Sequence, residues 1–433
     1  MPLRLDAGAP DFARAFARLV EARREETADV RSAVAEILAR VREEGDAALL
    51  ELTRRFDRHE ARSVAELALD RATLERARAA IAPELAAALE LAAERIRAFH
   101  ARQMPTDLEW TDEVGVRLGL RWQPIDSVGL YVPGGTAAYP SSVLMNAIPA
   151  KVAGCRRLVV TVPTPEGRLN EAVLAAASIA GVDEVWRIGG AQAIGALAWG
   201  TETIAPVDKI VGPGNAWVAE AKRQVYGRVG IDMIAGPSEV VVVADASADP
   251  NWVAADLLAQ AEHDVRAQAI LVTDSAELAD AVERAVAAQL AEAPRDAIAR
   301  ASWRDHGAIL LVRDLEDVPE LVDRLAPEHL QLVLAEPDRL AGRIRRAGAV
   351  FLGPYTPEVI GDYVGGPNHV LPTGRTARFA SGLSVFDFLT RTTILGCDAR
   401  ALSALGPAAV ALARAEGLAA HARAVELRLG AGG

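Results

Sequence analysis

Two runs of short apolar segments, each alternating with helical stretches, constrain the fold of this chain more than any other feature. The strand-like segments are 158–165, 185–190 and 209–215 in the first run, and 239–245, 268–274, 308–314 and 349–353 in the second. The helical patterns are 170–180, 191–199 and 216–227, then about 250–264, 276–293, 317–326 and 337–346. Strands separated by helices at this interval predict right-handed βαβ units and parallel sheets. The simplest interpretation is two similar α/β lobes.

The remaining segments differ in character. Residues 11–103 repeat apolar positions every three or four residues between Arg/Glu-rich faces, which predicts helices. Residues 353–382 are rich in Gly and Pro and carry no clear periodicity. Because compact domains seldom contain about 30 structureless residues away from a site, this segment is a candidate functional loop. Residues 400–430 return to a helical pattern, which Gly417 interrupts.

Length and charge exclude several classes of protein. The chain has 433 residues, 47 Lys+Arg and 59 Asp+Glu, and a formal net charge of −12. This length allows two or three domains with substantial cores. The acidic balance, without a basic tract, argues against nucleic acid and membrane surfaces as partners. Two cysteines cannot form a disulfide framework, and the N-terminus does not resemble a signal peptide, so the cytoplasm is expected.

Three glycine-rich turns are candidates for binding an anion or a nucleotide. Pro133-Gly134-Gly135, with Thr136, Ser141 and Ser142, follows a β-like run, and GGAQAIG (189–195) and GPGN (212–215) lie at strand-to-helix junctions. Ligands of open α/β sheets bind at the carboxyl ends of strands, where such turns lie. Neither junction matches G-x-G-x-x-G, however, so ordinary helix-packing turns remain open. Ser238, after Gly-Pro, fits turn chemistry better than a nucleophile.

Four polar pairs or clusters are candidates for chemistry. Asp256, Gln260 and His263 share one helix face, which suits a metal site but also a His at a helix C-terminus. Glu328 and His329 are two titratable groups at the end of a helical segment. Asp362 and His369 lie in the Gly/Pro-rich loop, where packing does not explain them, and Glu416 and His421 follow in the tail.

Together these residues suit a zinc site, because Zn²⁺ takes about four N, O or S ligands and needs no cysteine. Spacing alone does not select Gln260 over Asp256 or Glu262 as a ligand.

Seven segments in order carry a family resemblance. They are LYVPGGTAAYPSSVLMN, VGPGNAWVAEAKRQV, IDMIAGPSEV, LLAQAEHD, APEHL, GDYVGGPNHVLPTG and AEGLAAHARAVELR. From about residue 25 to the C-terminus the chain resembles the histidinol dehydrogenase family. The resemblance implies an α/β fold with two incomplete Rossmann-like parallel-sheet lobes plus N-terminal helical and C-terminal tail segments. It also implies NAD-linked oxidation of L-histidinol to L-histidine, through a bound aldehyde, as the last step of histidine biosynthesis.

The resemblance further implies a role for each motif residue. Zinc, one ion per subunit, would be held by Gln260, His263 and Asp362, with His421 from the other subunit of a homodimer. His329 would be the proton acceptor and Glu328 would activate water. Ser238, His369 and Glu416 would contact the substrate, together with the zinc ligands and His329. NAD would contact Tyr131, Gln192 and Asn215.

The same resemblance suggests a division of the chain. The predicted units are a helical arm (1–26), a discontinuous substrate and zinc lobe (27–130 and 237–382), an NAD-binding lobe (131–236), and a tail that reaches the partner subunit (383–433).

Three alternatives remain, of which a non-catalytic binding protein is the weakest, because it would not need the Glu328–His329 pair. A related zinc and NAD dehydrogenase would act on another small alcohol, such as a sulfonated propanediol, although Glu416, His369 and the EGLAAH tail favour histidinol. A zinc hydrolase would use Glu328 or Glu416 to activate metal-bound water, but it would leave the glycine turns unexplained.

Overall fold

The computed structural model describes residues 2–22, 30–134, 139–234, 236–292 and 296–430. The predicted turn residues Gly135 and Thr136 lie outside these ranges, as does part of the predicted arm 1–26. Within the described ranges, no helix is both long and apolar enough to cross a bilayer.

Strands and helices alternate through most of the chain. The strands are β1 (Leu3–Asp6), β2 (Ala68–Leu69), β3 (Leu108–Thr111), β4 (Arg117–Pro124), β5 (Ser127–Tyr131), β6 (Arg157–Thr161), β7 (Glu184–Trp186), β8 (Lys209–Val211), β9 (Gly230–Ile231), β10 (Glu239–Ala244), β11 (Gln268–Thr273), β12 (Ala308–Leu311), β13 (His329–Val333), β14 (Ala349–Leu352) and β15 (Leu389–Gly396). The first helices are α1 (Phe12–Glu21), α2 (Val30–Glu44), α3 (Asp46–Asp57), α4 (Arg71–Ala80), α5 (Pro83–Ala101), α6 (Pro140–Ala153), α7 (Glu171–Ala180), α8 (Gly190–Trp199) and α9 (Ala216–Val225). The later helices are α10 (Pro250–Ala261), α11 (Ala276–Glu292), α12 (Asp296–His306), α13 (Val318–Leu325), α14 (Pro337–Ala341), α15 (Glu358–Tyr363), α16 (Ala399–Ala415) and α17 (Ala419–Gly430).

The first lobe is a six-stranded sheet in the order β2-β7-β6-β5-β8-β9. Its strands are parallel except β2, which runs antiparallel to β7. One face packs against α4, α5, α6 and α7, and the other packs against α2, α3, α8 and α9. Because both faces are covered, the strands are apolar along nearly their whole length.

The second lobe repeats this plan. Its order is β1-β12-β11-β10-β13-β14, and every pair is parallel. One face packs against α1, α13 and α14, and the other against α10, α11 and α12. Strand β5 lies in the middle of the first sheet and β10 in the middle of the second. In each case the next two strands of the chain are added on one side and the following two on the other. The prediction of two incomplete Rossmann-like parallel-sheet lobes is confirmed.

Packing at the N-terminal end differs from the predicted division of the chain. Residues 3–6 form a strand rather than part of a helical arm, and they extend the second sheet. Helices α2–α5 bury their apolar faces on the first sheet, whereas the division placed 27–130 with 237–382. The reason is that a helical pattern shows which face is apolar without showing which of two similar sheets will cover it.

A small antiparallel sheet, in the order β15-β4-β3, was not predicted. Strand β15 pairs with β4 along its full length, from Leu389 opposite Pro124 to Gly396 opposite Arg117. It anchors the tail to the body of the chain. Beyond it, α16 and α17 form a helical hairpin whose turn contains Gly417 at φ 74°. The predicted break between two tail helices is therefore observed.

Candidate active site

One cleft lies between the two lobes and collects most of the predicted site residues. Its lining includes Pro133 and the turn 212–215 from the first lobe, and Ser238, Glu328 and His329 from the second. The first-lobe residues follow strands β5 and β8, at the carboxyl edge of the sheet. The second-lobe residues precede or begin β10 and β13, at the amino edge. The expectation of a site at strand carboxyl ends therefore holds for one lobe and fails for the other.

Local backbone geometry directs Glu328 and His329 into this cleft. Helix α13 ends at Leu325, and Ala326 takes the left-handed conformation at φ 46°. Pro327 cannot continue a helix, and β13 begins at His329. Glu328 and His329 were predicted at a helix end, but they lead into the strand that pairs with β10 and β14. Both side chains are buried, with 6% and 4% of the residue exposed.

The surroundings of the His329 ring indicate its tautomer. Its Nδ1 lies 3.1 Å from the Glu239 carbonyl oxygen, which can only accept a hydrogen bond. Nδ1 therefore carries the proton of the neutral ring, and Nε2 has the free lone pair. Nε2 lies 3.5 Å from Asp362 Oδ1. In the neutral ring, Nδ1 is anchored and Nε2 is the basic nitrogen, as a proton acceptor needs, and in the charged ring Nε2 can donate to the Asp362 carboxylate.

Carboxylates around the ring favour its positively charged form. Burial alone would lower the pKa of His329, but Glu358, Glu328 and Asp362 outweigh it and hold that pKa well above its ordinary value. Burial raises the pKa of Glu328 to about 7, against the effect of His329 and of the Glu239 amide. That amide donates to Glu328 Oε2 over 2.9 Å, which fixes the carboxyl group beside the base.

Asp362 and His369 approach His329 from the long loop. Residues 358–363 of this loop form the short helix α15, which was not predicted. His369 Nδ1 donates to the Asp362 carbonyl oxygen over 2.9 Å, and burial lowers the pKa of His369. Burial raises the pKa of Asp362, but the hydrogen bond and charge of His329, with His369 and His263, bring it below the ordinary value.

Helix α10 carries Gln260, and the turn that follows its end at Ala261 carries His263, which was predicted on the same helix face. Gln260 is fully buried, and neither polar atom of its side chain has a hydrogen-bond partner. His263, one turn later, lines the cleft. Sequence spacing did not distinguish Gln260 from Asp256 and Glu262 as a possible metal ligand. In the structure Asp256 accepts a hydrogen bond from Gln331 over 2.6 Å, and Glu262 is exposed.

The chemistry of these groups suits a divalent cation. A buried amide without partners normally costs about 1–3 kcal/mol, so its presence indicates that it binds something else. The imidazole of His263, the carboxylate of Asp362 and the amide oxygen of Gln260 are N and O donors of the kind that zinc accepts. The ligand atoms of His329, Glu358 and Asp362 also lie within 4.8 Å of one another, but Glu358 faces Nδ1 of His329, the nitrogen that carries the proton in the neutral ring. The residues present therefore fit a metal ion.

A buried ion pair, which was not predicted from the sequence, holds the turn 212–215 of the first lobe. Lys222 pairs with Asp232, donates to the Gly212 carbonyl oxygen over 2.9 Å, and is almost fully buried. Asp232 in turn accepts from the Gly212 amide over 2.8 Å. Gly212 has φ 111°, and a Cβ there would overlap the Tyr131 carbonyl oxygen, so only glycine fits. The pair thus fixes both backbone polar groups of this turn.

The predicted NAD contacts lie at the same edge of the first sheet. Asn215 caps α9, accepting from the amides of Trp217 and Val218, and lines the cleft. Tyr131 is buried at the end of β5, and its hydroxyl accepts from the Gly190 amide over 3.2 Å. Gln192 is buried in the first turn of α8.

Glu416 and His421 lie apart from this group. Both are exposed, and both line an apolar groove of the α16–α17 hairpin, together with Leu412 and Leu418. Within one chain, the structure therefore brings together Ser238, His263, Glu328, His329, Asp362 and His369, and it leaves the two tail residues elsewhere.

Comparison with known proteins gives a consistent result. The profile of the family described as histidinol dehydrogenase matches residues 20–429. The chain is 63% identical over 433 residues to a histidinol dehydrogenase of Rhodospirillum rubrum, with all of both chains covered. It is 61% identical over 429 residues to that of Rhodopseudomonas palustris, covering 99% of each. The crystal structure of histidinol dehydrogenase from Elizabethkingia anophelis superposes with a TM-score of 0.94 at 35% identity, covering 99% of this chain and 98% of the other.

Proposed function

The chain belongs to the histidinol dehydrogenase family, and from that premise we propose that it oxidises L-histidinol to L-histidine, the last step of histidine biosynthesis. The observation that carries the proposal is the match in sequence and fold along nearly the whole chain. The geometry of His329, a buried imidazole with Nδ1 anchored on the Glu239 carbonyl oxygen and Nε2 available as the basic nitrogen of the neutral ring, suits the oxidation of an alcohol. NAD, when bound, would accept one hydride in each of two successive oxidations.

His329 would remove the hydroxyl proton of histidinol, because hydride leaves an alcohol readily only as the O–H proton departs. The intermediate aldehyde must be hydrated before it can give up a second hydride. Glu328, held beside the base by the Glu239 amide, would activate that water. His329 would then act as the base again. Ser238 and His369, on the cleft wall, would bind and orient the substrate.

We further propose that Gln260, His263 and Asp362 hold a zinc ion, with His421 of a second copy as the fourth ligand. The support is the partnerless buried amide of Gln260 and the donor set around it. Zinc would orient the substrate and favour its neutral imidazole. A homodimer would also explain why Glu416 and His421 lie exposed in an apolar groove, away from the cleft. Tyr131, Gln192 and Asn215 would contact NAD.

The direct test is a product balance. Purified protein with zinc, NAD and L-histidinol is expected to form about two NADH per histidine, because an alcohol must lose two hydrides to become an acid. NADH is measured by absorbance and histidine by chromatography. A sulfonated propanediol under the same conditions should give no NADH. Failure to form histidine with zinc present would refute the proposal, and turnover of the sulfonated alcohol alone would indicate the related dehydrogenase.

The zinc site can be tested without turnover by the substitution Gln260→Met. We expect the metal-free variant to melt at or above the wild-type temperature, because methionine fills the same space without burying partnerless polar atoms. The stabilisation that zinc gives the wild type should be largely lost in the variant. Melting curves with chelator and with added zinc measure both effects.

The matched control is Gln289→Met, on α11, whose side chain donates to the Asn251 carbonyl oxygen. This variant should keep the full zinc response. An undiminished zinc response in Gln260→Met would remove that residue from the ligand set.

A further inference from the structure

Glu358 is a buried carboxyl group at the first position of α15, and the proposed mechanism does not use it. Only 3% of the residue is exposed. Its Oε1 lies 3.5 Å from His329 Nδ1, and its Oε2 is buried without a hydrogen-bond partner. The cleft lining contains Glu328, His329 and Asp362 but not Glu358. Glu358 can therefore act on a substrate only through neighbouring groups, and His329 is the one that its Oε1 approaches to 3.5 Å.

One short helix places a carboxylate on each side of this ring. Glu358 and Asp362 are four residues apart on α15, so their side chains share a face of the helix. Glu358 faces Nδ1 at 3.5 Å, and Asp362 faces Nε2 at 3.5 Å. The ring is thus held between the two ends of one helical turn, while the Glu239 carbonyl oxygen accepts from Nδ1.

We propose that Glu358 is a positioning residue for the base: its carboxyl group faces the Nδ1 hydrogen, fixes the ring orientation, and keeps Nε2 beside Asp362, which lines the cleft. This rests on the proposed role of His329 in histidinol oxidation. Burial raises the pKa of Glu358 to about 8, and the charge of His329 acts against this rise. The carboxylate and the positive ring that forms each time Nε2 takes a proton therefore stabilise each other. In the catalytic triads of hydrolases, a carboxylate on the Nδ1 side of the imidazole likewise orients the ring and stabilises its charged form.

The side of the ring on which Glu358 lies distinguishes this role from that of a metal ligand. Glu358 faces Nδ1, the proton-bearing nitrogen, whereas the substrate-facing groups Asp362 and Nε2 lie on the other side. A positioning residue should therefore leave zinc content unchanged when its charge is removed, whereas a ligand should not.

The experiment compares Glu358→Gln, Glu358→Asp and the control Asp323→Asn. Asp323 is another buried carboxylate of the second lobe, but it binds Arg345 and lies outside the cleft. With zinc-loaded protein, Glu358→Gln should lower kcat by about 10²–10³-fold while KM for histidinol changes by less than about threefold. Glu358→Asp, which keeps the charge, should recover part of the loss, and Asp323→Asn should match the wild type.

Two further readouts separate positioning from a structural effect. With histidinol deuterated at the carbinol carbon, the isotope effect on kcat should increase in Glu358→Gln, because hydride transfer becomes slower than the other steps. Zinc per subunit, measured by elemental analysis, should stay at the wild-type level. Loss of zinc in Glu358→Gln, a kcat equal to that of the wild type, or equal losses in the Gln and Asp variants would overturn the proposal.

The wild-type reaction in the same assay keeps the two proposals separate. If the wild type forms no histidine, the proposed function has failed. If it does so and the Glu358 variants behave as the control, only the positioning role has failed.

Discussion

Replacing His329 by asparagine is expected to lower kcat for histidinol oxidation by about 10²–10⁴-fold, the usual contribution of a general base. Asparagine can still donate to the Glu239 carbonyl oxygen, as Nδ1 does over 3.1 Å, so the strand start should keep its geometry. It offers no basic nitrogen at the position of Nε2. Steady-state rates of NADH formation measure the effect, and both oxidation steps should be slowed because each needs the same base.

The zinc content of His329→Asn shows whether its loss of activity comes from the missing base or from a missing metal. His329 Nε2 lies 3.5 Å from Asp362, one of the proposed ligands, so a direct role in metal binding has to be tested. We expect His329→Asn to retain zinc at the wild-type level. The control is His306→Asn, at the end of α12 outside the cleft, which should keep full activity. An inactive His329→Asn protein that has also lost its zinc would make His329 a ligand rather than a base.

A dimer assembled from two inactive chains is expected to recover activity. One chain carries His329→Asn, which removes the base, and the other carries His421→Ala, which removes the proposed ligand in the tail. If each tail completes the partner's site, a heterodimer contains one site with both residues intact and one site with neither. Such a heterodimer, purified through two different affinity tags, should show about half of the wild-type activity per dimer.

The parent proteins provide the controls. Both homodimers should be nearly inactive, and a heterodimer of wild type with His329→Asn should also show about half activity. A heterodimer of the two variants that is as inactive as its parents would mean that each tail serves its own chain. That result would contradict the shared site and leave the exposure of Glu416 and His421 without a functional reason.

The position of the site explains why the rule that ligands bind at the carboxyl ends of strands holds for only one lobe. The turn at 212–215 follows β8 and faces the cleft, as the rule for open α/β sheets predicts. Glu328 and His329 lead into β13 from its amino end, because the second lobe presents its opposite edge to the first. A linear pattern of strands and helices contains no information on how one lobe is rotated against another.

Glu358 is missing from the sequence prediction for a related reason. It begins a six-residue helix inside a segment that was expected to be a functional loop without regular structure. A single turn of helix leaves too little periodicity to detect. A lone glutamate in such a segment resembles a solvated charge until the structure shows it buried against an imidazole. The small sheet β15-β4-β3 was missed similarly, since its strands are largely exposed and lack a buried apolar run.

The sequence by itself determined the α/β class, the two parallel-sheet lobes and the motif residues, because apolar periodicity and the residues of each motif are local properties of the chain. The tertiary structure decided which lobe each N-terminal helix covers, which sheet edges meet at the cleft, and which polar side chains are buried without partners. It left Gln260 without hydrogen-bond partners, whereas Asp256 accepts a hydrogen bond from Gln331, and it brought Glu358 to His329. These outcomes depend on contacts between segments about 30 to 90 residues apart or more, and local pattern does not encode such contacts.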